Sequence, residues 1–318
     1  MNAIRLLEPD GTDALTCEDV PRPEPDDDEL LVRIRAAGVN PLDWLVCRGV
    51  LPELRDEPLP WTPGWDLSGV VETVGTDVTE FEPGDAVFGM VRLPGAGGTF
   101  AEYATVTVEE VTAKPPSLSH TDAAGVPMAG QTAYHALYEV GGLDPGQRIL
   151  VHAAAGGVGH MAVQFATHTG AHVIGTASGR NERFLRNLGV DEFVDYRAEQ
   201  FGDVVDSVDV VLDAVGGEVT ARSVGVTRPG GVVVTLPDRP SADAVERFRD
   251  EHGVTVRFFD VLTESPPATL RSVASHVEAG VLAPVISDTD PLSAARQALE
   301  TSADGHVRGK LVLEVSDG

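Results

Sequence analysis

The chain has 318 residues and carries 50 acidic against 23 basic side chains, a formal net charge of −27. A surface of that sign repels nucleic-acid phosphate and anionic lipid, which argues against both as partners. The length is consistent with roughly two domains, and the two cysteines, Cys17 and Cys47, can build neither a disulfide framework nor a four-thiolate zinc site.

Lysine is nearly absent, with Lys114 and Lys310 the only two among the basic residues. An unusually soluble acidic protein is the plain reading of the charge, but acidity alone gives no reason to shed lysine. Adaptation to molar salt is the sharper expectation, because screening shrinks the Debye length to roughly 3 Å at 1 M and self-repulsion then costs little. The N-terminus MNAIRLLEPDG lacks a charged segment followed by an apolar one, and no run of 18 apolar residues occurs. A soluble, cytoplasmic protein is expected.

Up to about Pro116 the text reads as short strands cut by Gly, Pro and Asp: 30–36, 69–74, 85–90 and 101–106. No long helical period interrupts them, so a mostly β, barrel-like unit is expected. From about Ser119 helix and strand alternate, with helices over 121–140, 158–169 and 181–188. Strands are expected at 148–152, 172–176, 193–196, 208–214, 231–236 and 254–261. That alternation predicts a doubly wound parallel sheet, an α/β fold. Two further helices, over 266–280 and 292–301, and a strand over 310–315 do not extend that sheet naturally. They are expected to return to the first domain and make it discontinuous, so that residues 1–118 and 264–318 form one domain and 119–263 the other.

The stretch Arg148–Ala166, RILVHAAAGGVGHMAVQFA, is a strand, a glycine-rich turn and a helix. Its register against G-x-G-x-x-G is Ala154-x-Gly156-x-x-Gly159, with alanine at the first glycine. Small residues let the backbone approach a pyrophosphate, and the helix aims its free N–H groups at the same anion. A second strand about 20 residues further on supplies the context that a dinucleotide site requires. A glycine-rich turn with no ligand is the alternative.

Six motifs in order carry a resemblance: GVNPLDW (38–44), PGWDLSGVV (63–71), GTFAEY (98–103), AAAGGVG (153–159), LDAVGG (212–217) and GHVRGKLV (305–312). Together they resemble the medium-chain dehydrogenase/reductase superfamily, and most closely its zinc-free, NADPH:quinone oxidoreductase-like branch. The resemblance spans essentially the whole chain. It implies a GroES-like catalytic domain made from the two ends of the chain and a Rossmann domain inserted between them.

The zinc-dependent alcohol dehydrogenases of the same superfamily are the rival. Where they carry a zinc-binding cysteine this chain has Asn40, where they carry G-H-E it has Gly64-Trp65-Asp66, and the third-ligand region offers Met128. Catalytic zinc needs three protein ligands and an open fourth position. No metal site is therefore expected.

An NAD-preferring site places an acid at the end of the second strand, and here that position is Ala177. Ser178, Arg180 and Asn181 follow and suit a 2′-phosphate, so NADP(H) is the expected cofactor. The alternative is that Ser178 caps a helix and Arg180 is a solvated charge. The family pattern implies cofactor contacts from Asn40, Thr132, Ala155, Gly156, Gly157, Val158, Gly159, Tyr196, Val215, Gly216 and Leu236. It places Asp43, Trp44, Cys47 and Trp65 around the substrate with Asn40. Bland readings stand beside these: Asn40 fixes a turn before Pro41, Asp43 is a structural carboxylate, Cys47 a buried small side chain, His152 a packed strand end, and Tyr196 ordinary core.

The expected activity is zinc-independent hydride transfer from NADPH to a small-molecule quinone or α,β-unsaturated carbonyl, with no assigned general acid or base. A zinc-type alcohol dehydrogenase, an enoyl-thioester reductase and a non-catalytic nucleotide-binding protein are the alternatives. Family practice makes a homodimer the expected assembly.

Overall fold

The computed structural model describes residues 1–50, 59–95, 97–261 and 267–315. The chain opens with a hairpin of β1 (Asn2–Leu6) and β2 (Leu15–Asp19), followed by the eleven-residue β3 (Glu29–Val39) and α1 (Pro41–Cys47). Next come β4 (Asp66–Val74), β5 (Ala86–Met90), β6 (Tyr103–Thr107) and β7 (Val111–Ala113), then α2 (His120–Ala124) and α3 (Pro127–His135). β3, β4 and β5 pair antiparallel in sequence, and their inward side chains, among them Leu30, Val32, Ile34, Leu67, Val71 and Val87, form one core.

The α/β part begins with β8 (Arg148–Val151), α4 (Gly157–Thr169), β9 (His172–Ala177), α5 (Glu182–Leu188) and β10 (Glu192–Asp195). It continues with α6 (Phe201–Val204), β11 (Val208–Asp213), α7 (Glu218–Val226), β12 (Thr227–Thr235), α8 (Ala242–His252) and β13 (Thr255–Phe258). All six strands are parallel, in the order β10-β9-β8-β11-β12-β13. That is the doubly wound Rossmann order, which reverses between β8 and β11 and so opens a ligand crevice at the carboxyl ends of those two strands. Helices cover both faces, so the strands read as unbroken apolar runs, and Leu150, Ile174, Val211 and Val233 are buried together.

The chain then adds α9 (Pro267–Glu278), β14 (Ile286–Pro291), α10 (Ala295–Asp304) and β15 (Lys310–Glu314). β15 pairs antiparallel with β3, Leu311 opposite Val39, and parallel with β14. The first domain is thus a GroES-like, mostly β unit built from both ends of the chain. Its compact unit comprises residues 1–129, 266–280 and 284–318, and the second comprises 130–265 and 281–283.

Several local expectations are corrected. The helix anticipated over 121–140 is divided at Gly125-Val126, because Pro127 disfavours a helical residue before it, and its last turn, Ala136–Val140, is a π-helix. The two compact units divide at Ala129–Gly130, within α3. The first domain also holds a helix, α1, although no helical period was apparent. Strands β1, β2, β7 and β14 were likewise not anticipated.

Candidate functional site

In the Rossmann unit, β8 ends at Val151 and the chain turns through Ala153, whose φ of +49° puts a non-glycine residue in the left-handed region. Ala154 N donates to Thr176 O at 3.0 Å, which ties the turn to the end of β9. Gly156 is the N-cap of α4, and no side chain caps the helix. The first-turn N–H groups at Gly157, Val158 and Gly159 therefore lack intrahelical acceptors and are offered to an anion. Gly159 is required for another reason: a Cβ there would lie 2.3 Å from Ala153 O. Ala155 is buried in the same turn.

At the end of β9, Ser178 and Asn181 are both buried, and Asn181 Nδ2 donates to Ser178 Oγ at 3.3 Å. Ser178 is the N-cap position of a 3-10 turn, Gly179–Asn181, with no side-chain capping bond, while Arg180 is exposed. Tyr196 N donates to Ala177 O at 3.3 Å, so Tyr196 stands beside this turn. The residue is 47% exposed, which corrects the reading of it as ordinary core.

Sequence reasoning missed two groups here. Arg197 lies over the Tyr196 ring, 5.7 Å from its centroid. Asp195 pairs in register with Ala177, and its Oδ2 lies 2.5 Å from where a Gly179 Cβ would stand. The signal was available, since an acid at the end of the third strand faces the end of the second in this strand order.

After β11, Asp213 Oδ1 accepts from Val215 N at 2.8 Å and Gly216 N at 3.0 Å, and Oδ2 accepts from Thr220 Oγ1 at 2.6 Å. This carboxylate shapes the loop that leaves Val215 51% exposed, and Gly216 adopts φ +83°. Leu236 N donates to Asp213 O at 3.0 Å. The structure thus brings the 153–159 turn and Ser178, Arg180, Asn181, Tyr196, Val215, Gly216 and Leu236 to the carboxyl-end edge of one sheet. Thr132 is buried on α3.

His152 donates or accepts at both ring nitrogens, 3.0 Å from Thr176 Oγ1 and 2.9 Å from Ser223 Oγ. Burial pushes its pKa down to about 4. It is a packed strand end, held neutral.

In the GroES-like unit, Asn40 is the N-cap of α1, with Pro41 at N1, where a missing N–H costs nothing. Asn40 N donates to Asp43 Oδ2 at 2.6 Å, and Nδ2 donates to Asp66 Oδ2 at 2.9 Å. Lys310 Nζ donates to Asn40 Oδ1 at 2.5 Å and to Val39 O at 2.8 Å. Asp66 Oδ1 accepts from Met128 N at 2.9 Å, and its Oδ2 lies 3.9 Å from Lys310 Nζ. Asn40, Asp43, Asp66 and Lys310 are at most 4% exposed, so this is a dry cluster of two carboxylates and one ammonium.

One cation compensates one carboxylate. Burial raises the Asp66 carboxyl to about 6 despite Lys310 beside it. Asp43, further from the ammonium and facing Asp66, is raised by burial to about 8. Burial also lowers the Lys310 ammonium. Among the described residues Asp43 Oδ1 and Trp44 Nε1 are buried without a hydrogen-bond partner.

The half-buried Trp44 carries the Arg48 guanidinium 4.6 Å from its ring centroid. Trp65 is fully buried, donates from Nε1 to Gly95 O at 3.1 Å and packs edge-on to Trp61 at 6.3 Å. Cys47 is buried, and that burial pushes its thiol up to about 12, the behaviour of a small packed side chain rather than a nucleophile. A pocket of about 340 Å³ on this unit is lined by Arg5, Trp61, Arg92 and Tyr103, and by none of the five substrate candidates.

Residues 26–116 match the model of the alcohol dehydrogenase GroES-like domain, and residues 188–313 that of the zinc-binding dehydrogenase. A chloroplastic quinone-oxidoreductase homolog from Spinacia oleracea is 33% identical over 96% of this chain and 95% of its own. The chain belongs to the medium-chain dehydrogenase/reductase family, in its quinone oxidoreductase-like branch. A 2-methylene-furan-3-one reductase from Solanum lycopersicum is 34% identical over 98% of this chain and 79% of its own. The solved quinone oxidoreductase of Coxiella burnetii superposes with a TM-score of 0.92 at 33% identity, covering 99% of both chains. This chain is accordingly an NAD(P)-binding oxidoreductase. Among the described residues no helix is long and apolar enough to cross a membrane.

Proposed function

We propose that this protein reduces a quinone or an α,β-unsaturated carbonyl with NADPH and without a catalytic zinc ion. The observation that carries the reading is the closed cluster around Asn40. Zinc takes thiolate, imidazole or carboxylate donors and keeps one position open. The positions where relatives would supply cysteine and histidine hold an amide oxygen already bound to an ammonium and an indole bonded to Gly95 O. The third-ligand region supplies Met128, a thioether and not one of the thiolate, imidazole or carboxylate donors that zinc takes. That donor set does not fit the ion.

The nucleotide fits better. The uncapped N-terminus of α4 and the bare backbone at Gly156 and Gly159 suit a pyrophosphate, and Arg180, after β9, with Arg197 and Tyr196, after β10, supply donors that would suit a 2′-phosphate. When bound, NADPH supplies a hydride from C4 of its nicotinamide. A conjugated acceptor spreads the resulting charge over an enolate or hydroquinone oxygen, so no Lewis acid is needed, and water can deliver the proton. The protein's part is to orient two flat rings and exclude bulk solvent. Relatives named for quinone and enone reduction support the acceptor class.

A second reading of the nucleotide rests on Asp195. Its carboxylate beside Gly179 would accept from a ribose 2′-OH and repel a 2′-phosphate, which favours NADH.

The test is the initial rate of NADPH and of NADH oxidation in molar KCl with a metal chelator, against one quinone, one enone and one alkyl aldehyde. Chelator-resistant turnover of NADPH on quinone or enone is expected. Activity lost to chelator, or confined to the aldehyde, would make this an alcohol dehydrogenase. Saturable nucleotide binding with no oxidation would make it a binding protein.

A further inference from the structure

Acidic residues outnumber basic ones by more than two to one in this chain, yet a cavity in it reverses the balance. The pocket of about 340 Å³ on the GroES-like unit has Arg5 and Arg92 in its wall and, among the described residues, neither Asp nor Glu. Neutral acceptors tie both guanidiniums down. Arg5 donates from Nη1 to Thr62 Oγ1 at 3.3 Å and from Nη2 to Pro60 O, and its Nε is buried without a partner. Arg92 donates from Nη2 to Thr105 O at 3.1 Å and to Thr105 Oγ1. Glu110, the acid that touches Arg92, spends its oxygens on the backbone N–H groups of Arg92 and Thr107 and leaves the guanidinium unneutralised. Arg92 is also held at φ +54°, a left-handed backbone that residues with a side chain seldom adopt. Strain of that kind gathers at ligand clamps.

Beside the arginines the wall is flat and apolar, made by Trp61, Tyr103 and three prolines, Pro21, Pro23 and Pro60. An inorganic anion has no use for such a wall, whereas a planar organic body buries its faces there. The volume falls at the lower end of the range for small-molecule sites, about 300–1,000 Å³. We propose that this pocket binds a small aromatic carboxylate, with its charge toward Arg5 and Arg92 and its ring toward Trp61 and the prolines. A guanidinium fork matches the two oxygens of a carboxylate. The site uses none of the residues given above to nucleotide or acceptor, so the proposal stands apart from the reductase reading.

The probes are benzoate, its uncharged isostere benzamide and inorganic phosphate. Each is titrated by calorimetry, at one fixed KCl concentration, into wild type, Arg5→Gln and Arg92→Asn, with Tm as the check on folding. Asparagine tolerates the left-handed backbone at position 92. Benzoate is expected to bind the wild type saturably and at least tenfold more tightly than either other probe. Each variant is expected to lose at least tenfold in benzoate affinity. The three probes on the wild type test the proposal even where a variant fails to fold.

Absence of saturable benzoate binding at millimolar concentration would overturn the proposal, as would a smaller loss in either folded variant. Benzamide bound as tightly as benzoate would show that charge plays no part, and phosphate bound as tightly would show that the aromatic wall plays none; either would overturn it. The indole N–H resonances of Trp44, Trp61 and Trp65 report the place of binding, and Trp61 should move the most. A shift confined to Trp44 would put the ligand elsewhere and overturn the proposal. No turnover is read, so none of these results bears on the reductase reading.

Discussion

Gly159 lies against the carbonyl oxygen of Ala153: a methyl group added to it would stand 2.3 Å from that oxygen and 2.8 Å from Ala154 Cα. Backbone, unlike a flexible side chain, cannot swing aside. Gly159→Ala should therefore push α4 away from the turn, costing about 1–3 kcal/mol of stability, the range for overpacking. It should also raise the nucleotide Kd by tenfold or more. Thermal melting with and without NADPH reads both, and unchanged values would mean that the helix seats differently.

The two readings of the 2′ position make opposite forecasts. If Arg180 and Arg197 hold a phosphate, the double change to alanine should raise KM for NADPH at least tenfold and leave KM for NADH within twofold. Asp195→Asn should then improve NADPH binding, since a carboxylate is removed from beside Gly179. Should Asp195→Asn instead weaken NADH binding tenfold, the carboxylate is reading a ribose hydroxyl.

The Asp43 carboxyl gives stability a slope in pH. Its pKa is raised by burial from the usual carboxylate value to about 8. Between those two values the folded chain holds a proton that the unfolded chain has released, so stability falls as pH rises. Asp66, raised to about 6, adds to the fall at lower pH, while His120 and His152, lowered by burial to about 4, oppose it up to their ordinary value.

From about pH 6.5 to 8 Asp43 contributes a fall of up to about 1.4 kcal/mol per pH unit, opposed where the lowered Lys310 ammonium titrates. Denaturant midpoints at pH 6.5, 7.25 and 8 should decline in the wild type and flatten in Asp43→Asn. Parallel declines in the two proteins would place the titration elsewhere.

With 50 acidic and 23 basic residues, the surface repels itself. Its ion pairs are mostly exposed, as with Arg186–Glu182 and Arg296–Glu300, and such pairs contribute little. Screening should thus gain more than it loses. Tm is expected to climb by 10 °C or more from 0.1 to 2 M KCl, and a flat or falling curve would remove the case for a salt-rich milieu.

The parallel sheet was legible because strands buried on both faces spell out continuous apolar runs, and the expected β8 to β13 differ from the observed by a few residues at their ends. β14 was not, since ISDTDP is a polar edge strand whose Asp288 and Asp290 carry no alternating apolar signal. α1 escaped because seven residues hold too few turns for a period. The resemblance singled out Asn40 and Asp43, and the bland readings beside them describe the side chains' visible work as cap and buried acid. Lys310 was recognised only as part of a motif. Its partners lie 270 and 271 positions away in the chain, and no spacing rule reaches that far.

That separation bears on how the protein is made. β15 leaves the ribosome about 270 residues after its neighbour β3. Until then only the Glu29–Arg33 part of that β3 edge has a partner, in β6, while Ala36–Val39 stand unpaired and Asp66 and Asn40 have no ammonium between them. The parallel sheet has all its strands by residue 258 and can condense first. The slow step of folding should therefore be the late docking of the short strand β15. Substitutions in β15 would then lower the yield of active protein during synthesis more than they accelerate its unfolding afterwards.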